Sequence, residues 1–289
     1  MRTWLADYEM RNAASLEEAL RTIATEPGAW MPFAGGTDLM VLMEAGTLPK
    51  KRFLSLWNVE ELRGVQVSED SVRVGALATY SDLLADPTVQ REFPLVCDAA
   101  RETGAIAIQN RGTVGGNIAN ASPAADLPPA LLVYDAALHI ASVRGNRVVA
   151  YGEFHKEYKV MDLAADELIT AVTLPRGRSG WAQTYRKVGT RRAQAISKVC
   201  FAAAADVAAG QVRDVRIALG SVAPTVIRCT KTEDALRGRS LDAAAIRDGR
   251  EALGREVKPI DDIRSNARYR RTVSCNLLEQ FLVGLGGSE

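Results

Sequence analysis

Two glycine-rich segments in the first half of the chain constrain its fold most, because each must connect helix and strand patterns through a tight turn. The first occupies residues 33–38, after an apolar strand pattern at 30–33 and before a short helical pattern at 39–44. The second occupies residues 111–117, after a helical pattern at 95–102. Adjacent glycines let a backbone approach a ligand or another segment closely. Neither segment matches the G-x-G-x-x-G dinucleotide turn or the phosphate loop that ends in Gly-Lys-Ser/Thr.

The first segment allows two interpretations when it is taken alone. Gly35 and Gly36 can present successive backbone N–H groups as an anion-binding concavity. The N-terminus of the following helix adds a partial positive charge, which favours a diphosphate. The alternative is a plain strand-to-helix turn in which Thr37 or Asp38 caps the helix.

The second segment is richer in hydrogen-bonding groups. Within residues 112–117 it combines three glycines with a hydroxyl and an amide side chain. Asp126 follows in a stretch that prolines at 123, 128 and 129 should stiffen. A carboxylate there suits ribose hydroxyls or ring N–H groups and is repelled by phosphate. The alternative is that Asp126 caps the apolar helix predicted at residues 127–133.

Composition excludes several functional classes. The 289 residues carry a net charge of +1, from 36 basic and 35 acidic side chains, so nothing favours nucleic acid or an anionic membrane as partner. No apolar run approaches the roughly 20 residues of a membrane helix. Acidic residues at Asp7 and Glu9 stand where a signal peptide would be apolar, which predicts a cytoplasmic protein.

The residues that usually bind metals are few and scattered. There are two histidines and four cysteines, none in a C-x-x-C pair, so the sequence predicts no metal or iron–sulfur site. Free, mostly buried thiols in a reducing compartment are expected instead. The cysteines are Cys97, Cys200, Cys229 and Cys275.

The order of helix and strand patterns predicts two domains. Helix and strand signals alternate up to the turn-like stretch 176–180, where we place the boundary, giving domains at 1–176 and 177–289. The first domain divides into two α+β lobes near residue 57. The second carries three antiparallel strands and then helices, an α+β arrangement. Its predicted strands are 183–188, 197–205 and 212–219, and its predicted helices are 231–236, 242–253 and 267–285.

Four stretches together resemble a known family. Residues 34–38, and residues 113–117 with 121–126, are similar to the two flavin loops of the molybdenum hydroxylases. Residues 185–199 and 259–271 are similar to the start and end of the C-terminal domain in the same family's FAD-binding (medium) subunit, as in xanthine dehydrogenase and carbon monoxide dehydrogenase. The resemblance implies a vanillyl-alcohol-oxidase-type (PCMH-type) FAD-binding domain. A small α+β domain with a three-stranded antiparallel sheet and helices would follow it.

The resemblance also implies which residues bind the cofactor. Two choices stay open by one residue, Leu168 or Ile169 and Arg186 or Lys187. The implied FAD-binding residues of the first segment are Phe33, Ala34, Gly35, Gly36, Thr37, Asp38 and Leu39. Those of the second are Gly112, Thr113, Gly115, Gly116 and Asn117, followed by Ser122, Ala125 and Asp126.

In this family the chemistry is divided among subunits. The resemblance implies an electron-transfer subunit that receives electrons from [2Fe–2S] clusters in one partner and belongs with a molybdopterin subunit in a heterotrimer or its dimer. NAD⁺, oxygen or another acceptor would take the electrons from FAD. No residue is predicted to be catalytic and none to bind a metal. Tyr185 either covers the flavin or is a buried strand residue, and Arg191 and Arg192 either guide an anionic acceptor or are solvated.

Two other functions remain open from the sequence. One is a stand-alone FAD oxidoreductase of the same fold, similar to the enolpyruvyl reductase of cell-wall synthesis. The other is a non-catalytic nucleotide-binding assembly module that has lost FAD.

Overall fold

The computed structural model describes residues 8–286, so most of the N-terminal stretch that predicted no leader lies outside the described residues. The strands are β1 (Glu9–Asn12), β2 (Met31–Phe33), β3 (Arg52–Ser55), β4 (Val65–Val67), β5 (Ser71–Gly75), β6 (Ala137–Ser142), β7 (Gly145–Ala150), β8 (His155–Glu157), β9 (Val160–Met161), β10 (Leu168–Pro175), β11 (Ala182–Val188), β12 (Val199–Ala208), β13 (Gln211–Gly220) and β14 (Ile227–Arg228). The helices are α1 (Leu16–Thr25), α2 (Leu39–Glu44), α3 (Tyr80–Ala85), α4 (Pro87–Glu92), α5 (Pro94–Glu102), α6 (Ile106–Gln109), α7 (Val114–Ala119), α8 (Leu127–Val133), α9 (Thr230–Leu236), α10 (Ala243–Glu256) and α11 (Ala267–Gly286).

The first lobe is a small parallel sheet with α1 packed on it. Its strand order is β1-β3-β2, and both pairings are parallel. Ser15 caps α1 by accepting a hydrogen bond from the Glu18 amide, as the sequence pattern predicts. The apolar stripe of α1 buries Ala19, Leu20 and Ile23 in this lobe's core. Strand β2 of this lobe leads directly into the first glycine segment.

The second lobe is a five-stranded antiparallel sheet with short helices α3–α8. Its order is β4-β5-β10-β6-β7, with β10 in the centre. Alternating residues on either side of a short turn predict two hairpins here, and both are present as β4–β5 and β6–β7. Helix α8 is buried along its whole length, which explains its continuous apolar sequence.

The second domain is a four-stranded antiparallel sheet, β11-β12-β13-β14, backed by α9–α11. The three predicted strands are confirmed, and the two-residue β14 adds a fourth that is too short to leave a periodic signal. Strand alternation gives the sheet two buried faces. Phe201 and Ala203 pack with the domain's own helices, whereas Cys200 and Ala202 belong to the core shared with α8 of the first domain.

An acidic residue joins the two domains at the end of α8. Asp135 accepts hydrogen bonds from Arg178 at 2.5 Å and from Arg228 of β14 at 2.6 Å. Arg216 of β13 lies 3.8 Å away. The φ of Asp135 is 52°, in the left-handed region that Asn and Asp tolerate better than most residues. One carboxylate therefore neutralises arginines from two strands of the second domain.

We expect Asp135→Asn to lower the free energy of unfolding by about 1–2 kcal/mol, because three arginines lose their shared counter-charge. Asparagine keeps the left-handed backbone, so strain does not contribute. Urea denaturation followed by circular dichroism measures the change. Glu17→Gln is the control, because its pair with Arg21 leaves both side chains 72% exposed. An equal loss in both variants would contradict a special role for Asp135.

Candidate functional site

The two glycine segments lie directly against each other. A Cβ built on Gly35 would be 1.7 Å from the carbonyl oxygen of Arg111, so the two backbones are in contact there. A Cβ on Gly116 would be 4.0 Å from that of Ala34. Segments that lie far apart in the sequence therefore form one surface.

Gly36 has a local structural role. Its φ of 76° is left-handed, and the ring of Phe33 would lie 2.4 Å from any Cβ there. Its carbonyl accepts the Met40 amide at the start of α2. Asp38 occupies the N-cap position before Leu39, yet its side chain makes no capping bond. The carboxylate of Asp38 is exposed, beside the site.

The second segment forms the start of helix α7, which the sequence did not predict because glycine disfavours a helix. Thr113 is buried and caps the helix, its hydroxyl accepting the Gly116 amide at 3.1 Å. Gly112 lies against the ring of Tyr80, and Gly115 against Ala76, both too closely for a Cβ. Packing therefore explains these two glycines.

Gly116 and Asn117 differ from their neighbours in this helix. Gly116 is exposed, and a Cβ there would touch only Thr113 and Ala34. The side-chain oxygen of Asn117 is buried and has no hydrogen-bond partner among the described residues. A buried, unpaired acceptor is costly. These two residues have the environment expected where a ligand approaches the helix.

Residues 122–126 bring a second unpaired acceptor to the site. Asp126 is buried, and one carboxylate oxygen accepts a hydrogen bond from Lys187 of β11 at 2.7 Å. The other oxygen has no partner within the described structure. Asp126 precedes α8 but makes no side-chain cap, so the capping alternative is wrong. Ser122 accepts the amide of Ala124 at 3.3 Å and, through its carbonyl, that of Ala125.

The environment of Asp126 opposes its ionisation. Burial raises the pKa of this carboxyl to about 6, although the nearby Lys187 cation acts in the opposite direction. The buried hydroxyls of Tyr80 and Tyr185 have raised pKa values for the same reason, and the Asp126 charge adds to the effect. The charge of Asp126 therefore depends on the balance between its burial and its ion pair with Lys187.

Strand geometry distinguishes the two residues in each pair that the sequence left open, Leu168 or Ile169 and Arg186 or Lys187. Lys187 and Tyr185 share the β11 face that packs on the first domain, whereas Arg186 is exposed on the other face. Ile169 lies in the core cluster that includes α7, and Leu168 lies in the first lobe's cluster. The structure brings together Lys187 and Asp126 and places Ile169 behind α7.

A cavity of about 360 Å³ opens beside Lys187. Its lining includes Glu102, Tyr185 and Arg186, and the turn that carries Arg191 and Arg192. Arg191 bonds carbonyls of its own turn, at Ala193 and Gln194. A second cavity, of about 420 Å³, lies beside α1 and shares no lining residue with the glycine segments.

Two contacts near the site were not predicted from the sequence. The guanidinium of Arg111 stacks on Trp57 at 3.7 Å, which braces the second segment against the residues after β3. Lys159, at the tip of the β8–β9 hairpin, donates to the side chain of Asn120 at 2.7 Å and to its backbone carbonyl. Burial lowers the pKa of Lys159, while Asp38 opposes that change. No local sequence pattern marks either contact, because the partners are remote in the chain.

Comparison with protein families agrees with this arrangement. Residues 6–177 match the FAD-binding domain in molybdopterin dehydrogenase. The chain belongs to the FAD-binding subunits of the molybdenum hydroxylases. Residues 183–285 match the CO dehydrogenase flavoprotein C-terminal domain. The predicted family, its cofactor FAD and the predicted fold class are confirmed.

Relatives in the family align over nearly the whole chain. The putative xanthine dehydrogenase FAD-binding subunit of Escherichia coli (strain K12) is 31% identical over 281 residues, covering 95% of this chain and 96% of that protein. The glyceraldehyde dehydrogenase medium chain of Sulfolobus acidocaldarius is 30% identical, covering 92% and 94%.

Solved structures in the family share the fold. The carbon monoxide dehydrogenase of Hydrogenophaga pseudoflava gives a TM-score of 0.91 at 25% identity, covering 95% of this chain and 96% of the matched chain. Quinoline 2-oxidoreductase from Pseudomonas putida 86 gives 0.90 at 26% identity, with 97% of each chain covered.

Two further findings concern the described part of this FAD-binding subunit. Between residues 8 and 286, no group of three or more His, Cys, Asp or Glu side chains is arranged to hold a metal ion. Over the same residues, the helices are too short or too polar to cross a membrane.

Proposed function

We propose that this chain is the electron-transfer subunit of a multi-subunit molybdenum hydroxylase. It would accept electrons from [2Fe–2S] clusters of a partner subunit and deliver them to NAD⁺, oxygen or another acceptor. A molybdopterin subunit would complete a heterotrimer or its dimer. The observation that carries the proposal is the junction of the two glycine segments, with the buried, unpaired side-chain oxygen of Asn117 in the second of them.

The residues at this junction fit FAD. The exposed face at Gly116 gives a diphosphate access to the backbone, and Asn117 can pair with a polar group of the cofactor. The free oxygen of Asp126 suits a ring N–H or a ribose hydroxyl, and Lys187 fixes the direction of that carboxylate. We choose Ile169 over Leu168, and Lys187 over Arg186, because of the core and strand face on which each lies. The other residues that the family resemblance implies within 33–39 and 112–126 are proposed to contact FAD as well.

The chain's own residues bind and orient the cofactor. FAD, when bound, supplies reversible electron transfer. The two glycine segments would hold its diphosphate, and Asp126, oriented by Lys187 of the second domain, would contact another part of the cofactor. No side chain is required to attack a substrate or transfer a proton.

Three further features of the proposal have separate support. The enzyme class would be a xanthine-dehydrogenase-like molybdenum-dependent dehydrogenase or oxidase, supported by relatives named as subunits of xanthine and carbon monoxide dehydrogenases. The domain boundary would lie at 176/177, beside Arg178 of the interdomain contact. A cytoplasmic location is supported by the free thiols of all four cysteines, which lie within the described residues.

Purification of the chain, alone and from its native host, tests the proposal. We expect the chain alone to bind FAD, with a visible absorption that bleaches on reduction. From the host it should be recovered with an iron–sulfur and a molybdopterin subunit. A chain that takes up no added FAD would contradict the cofactor assignment. Recovery without those partners would contradict the electron-transfer role. Mixing reduced holoprotein with NAD⁺ or oxygen then identifies the acceptor.

A further inference from the structure

We infer that the second domain positions the flavin-contacting segment 122–126, and that the hydroxyl of Tyr185 is the main positioning group. The inference rests on the proposed function. It concerns residues of the second domain beyond those that contact the cofactor.

Carbonyl groups along segment 122–126 are held from across the domain boundary. The amide of Ser221 donates to the carbonyl of Pro123 at 2.8 Å. The Ser197 hydroxyl donates to the carbonyl of Ala124 at 3.2 Å. The Tyr185 hydroxyl donates to the carbonyl of Asp126 at 2.9 Å. Three backbone carbonyls of this five-residue segment are thereby fixed by three residues of the second domain.

Tyr185 is the centre of a buried chain of hydrogen bonds. Its hydroxyl also accepts the thiol of Cys200 at 2.9 Å. Tyr185, Cys200 and Lys187 all lie on the sheet face that packs against the first domain. Lys187 fixes the carboxylate of Asp126 while Tyr185 fixes its carbonyl, so one strand controls both ends of this residue. The remaining carboxylate oxygen is thus held in a single direction.

A serine pair holds the other half of the segment. The hydroxyls of Ser197 and Ser221 lie 2.8 Å apart, and Ser221 also donates to the Ser197 carbonyl at 3.0 Å. Ser221 has a left-handed φ of 66°. Arg270 of α11 donates to the carbonyl of Ser221 at 2.7 Å. The two serines are therefore held by other residues of the second domain as well as by their contacts with the first domain.

Tyr185→Phe tests the inference. The variant keeps the ring in the core and removes the hydroxyl that donates to the backbone of Asp126 and accepts the Cys200 thiol. We expect FAD affinity, measured by flavin fluorescence quenching, to fall about fivefold to tenfold, as one lost hydrogen bond predicts. The visible circular dichroism of bound FAD and its reduction potential should change as well, because the cofactor's surroundings move.

The matched control is Tyr151→Phe. Tyr151 is equally buried, and its hydroxyl has no partner among the described residues, so its loss breaks no hydrogen bond. We expect unchanged FAD affinity and unchanged visible circular dichroism in this variant. Ser197→Ala is a second test, with a smaller change in the same direction, and it applies even where Tyr185→Phe fails to fold.

The outcomes separate this inference from the proposed function. A Tyr185→Phe or Ser197→Ala variant with a lower melting temperature but wild-type FAD affinity, potential and visible circular dichroism would overturn the positioning role, leaving the proposed function intact. A wild-type chain that binds no FAD would overturn both. Lower affinity with an altered flavin spectrum, absent in Tyr151→Phe, supports the inference.

Discussion

Lys187→Met is expected to lower the free energy of unfolding by about 1–3 kcal/mol at neutral pH, because the buried Asp126 carboxyl loses its hydrogen-bond donor and counter-charge and must either stay ionised without a partner or take up a proton. The side chains of Lys187 and Asp126 are only 5% and 11% exposed, so solvent screens their attraction little. Methionine is close to lysine in volume, which limits any contribution from a cavity. Urea denaturation measures the loss, and the exposed Lys156 provides a Lys156→Met control that should change stability little.

The cost of Lys187→Met should depend on pH in a defined direction. The pKa of Asp126 is about 6 in the folded chain and 3.8 ordinarily, so ionisation of this group opposes folding as pH rises through that range. Removing the lysine cation raises the pKa further. At about pH 5 the carboxyl of the variant is protonated and the loss of stability is smaller than at about pH 8. A loss that grows on acidification would contradict this account.

A double variant separates stability from FAD binding. Lys187→Met combined with Asp126→Leu replaces the ion pair by apolar groups, and we expect it to recover most of the lost stability. FAD affinity should remain low, because the oriented carboxylate is gone. A stable double variant with wild-type FAD affinity would show that the pair is structural and does not contact the cofactor.

Local patterns in the sequence predicted much of the fold. Helix α1 has a capping serine and an apolar stripe, and alternating residues mark the two strands of the β6–β7 hairpin. The turn of that hairpin was predicted at Gly145-Asn146 but lies at residues 143–144, since Gly145 pairs with Ser142 as the first residue of β7. Both signals lie within a few residues, so no knowledge of the tertiary structure is needed to interpret them. Helix α2 was predicted with its observed bounds for the same reason.

Helix α7 could not be predicted from local propensity. Gly115 and Gly116 disfavour helix by roughly 1 kcal/mol each. Tertiary packing overrides that preference, because Val114 and Ile118 are buried in the core and Thr113 provides the cap. Gly115 has no room for a side chain, because a Cβ there would lie 2.7 Å from that of Ala76.

The site could be predicted only in part, because its halves are distant in the sequence. The resemblance to the family marked both glycine segments and Asp126. Lys187 lies 61 residues after Asp126, and the sequence left it equivalent to Arg186. Only the pairing of β11 with β12 shows which of the two side chains faces the first domain. Tyr185 is buried, which agrees with one of its two interpretations. Its hydrogen bond to the carbonyl of Asp126 could not be predicted, because it joins residues of different domains.

Gly35→Ala is expected to abolish FAD binding, because the added methyl group would overlap the backbone carbonyl of Arg111 at 1.7 Å. That carbonyl belongs to the turn before α7 and cannot rotate away like a side chain, so the two glycine segments must separate. We expect FAD affinity to fall more than about 100-fold and the free energy of unfolding to fall by about 1–3 kcal/mol, as overpacking typically costs. Flavin fluorescence quenching and urea denaturation measure the two effects.

Two other glycines show whether the loss in Gly35→Ala comes from separating the segments. At Gly180 a Cβ would meet nothing within 4 Å, so Gly180→Ala should leave both FAD affinity and stability unchanged. At Gly116 the Cβ would lie 2.7 Å from the Thr113 hydroxyl that caps α7, a cost that the gain in helix propensity partly offsets, so Gly116→Ala should lose less stability than Gly35→Ala. Because Gly116 has the exposed backbone of the second segment, Gly116→Val should lose FAD while retaining most of its stability. Wild-type FAD affinity in Gly35→Ala would show that the two segments bind the cofactor independently, and would remove the basis for treating them as one diphosphate clamp.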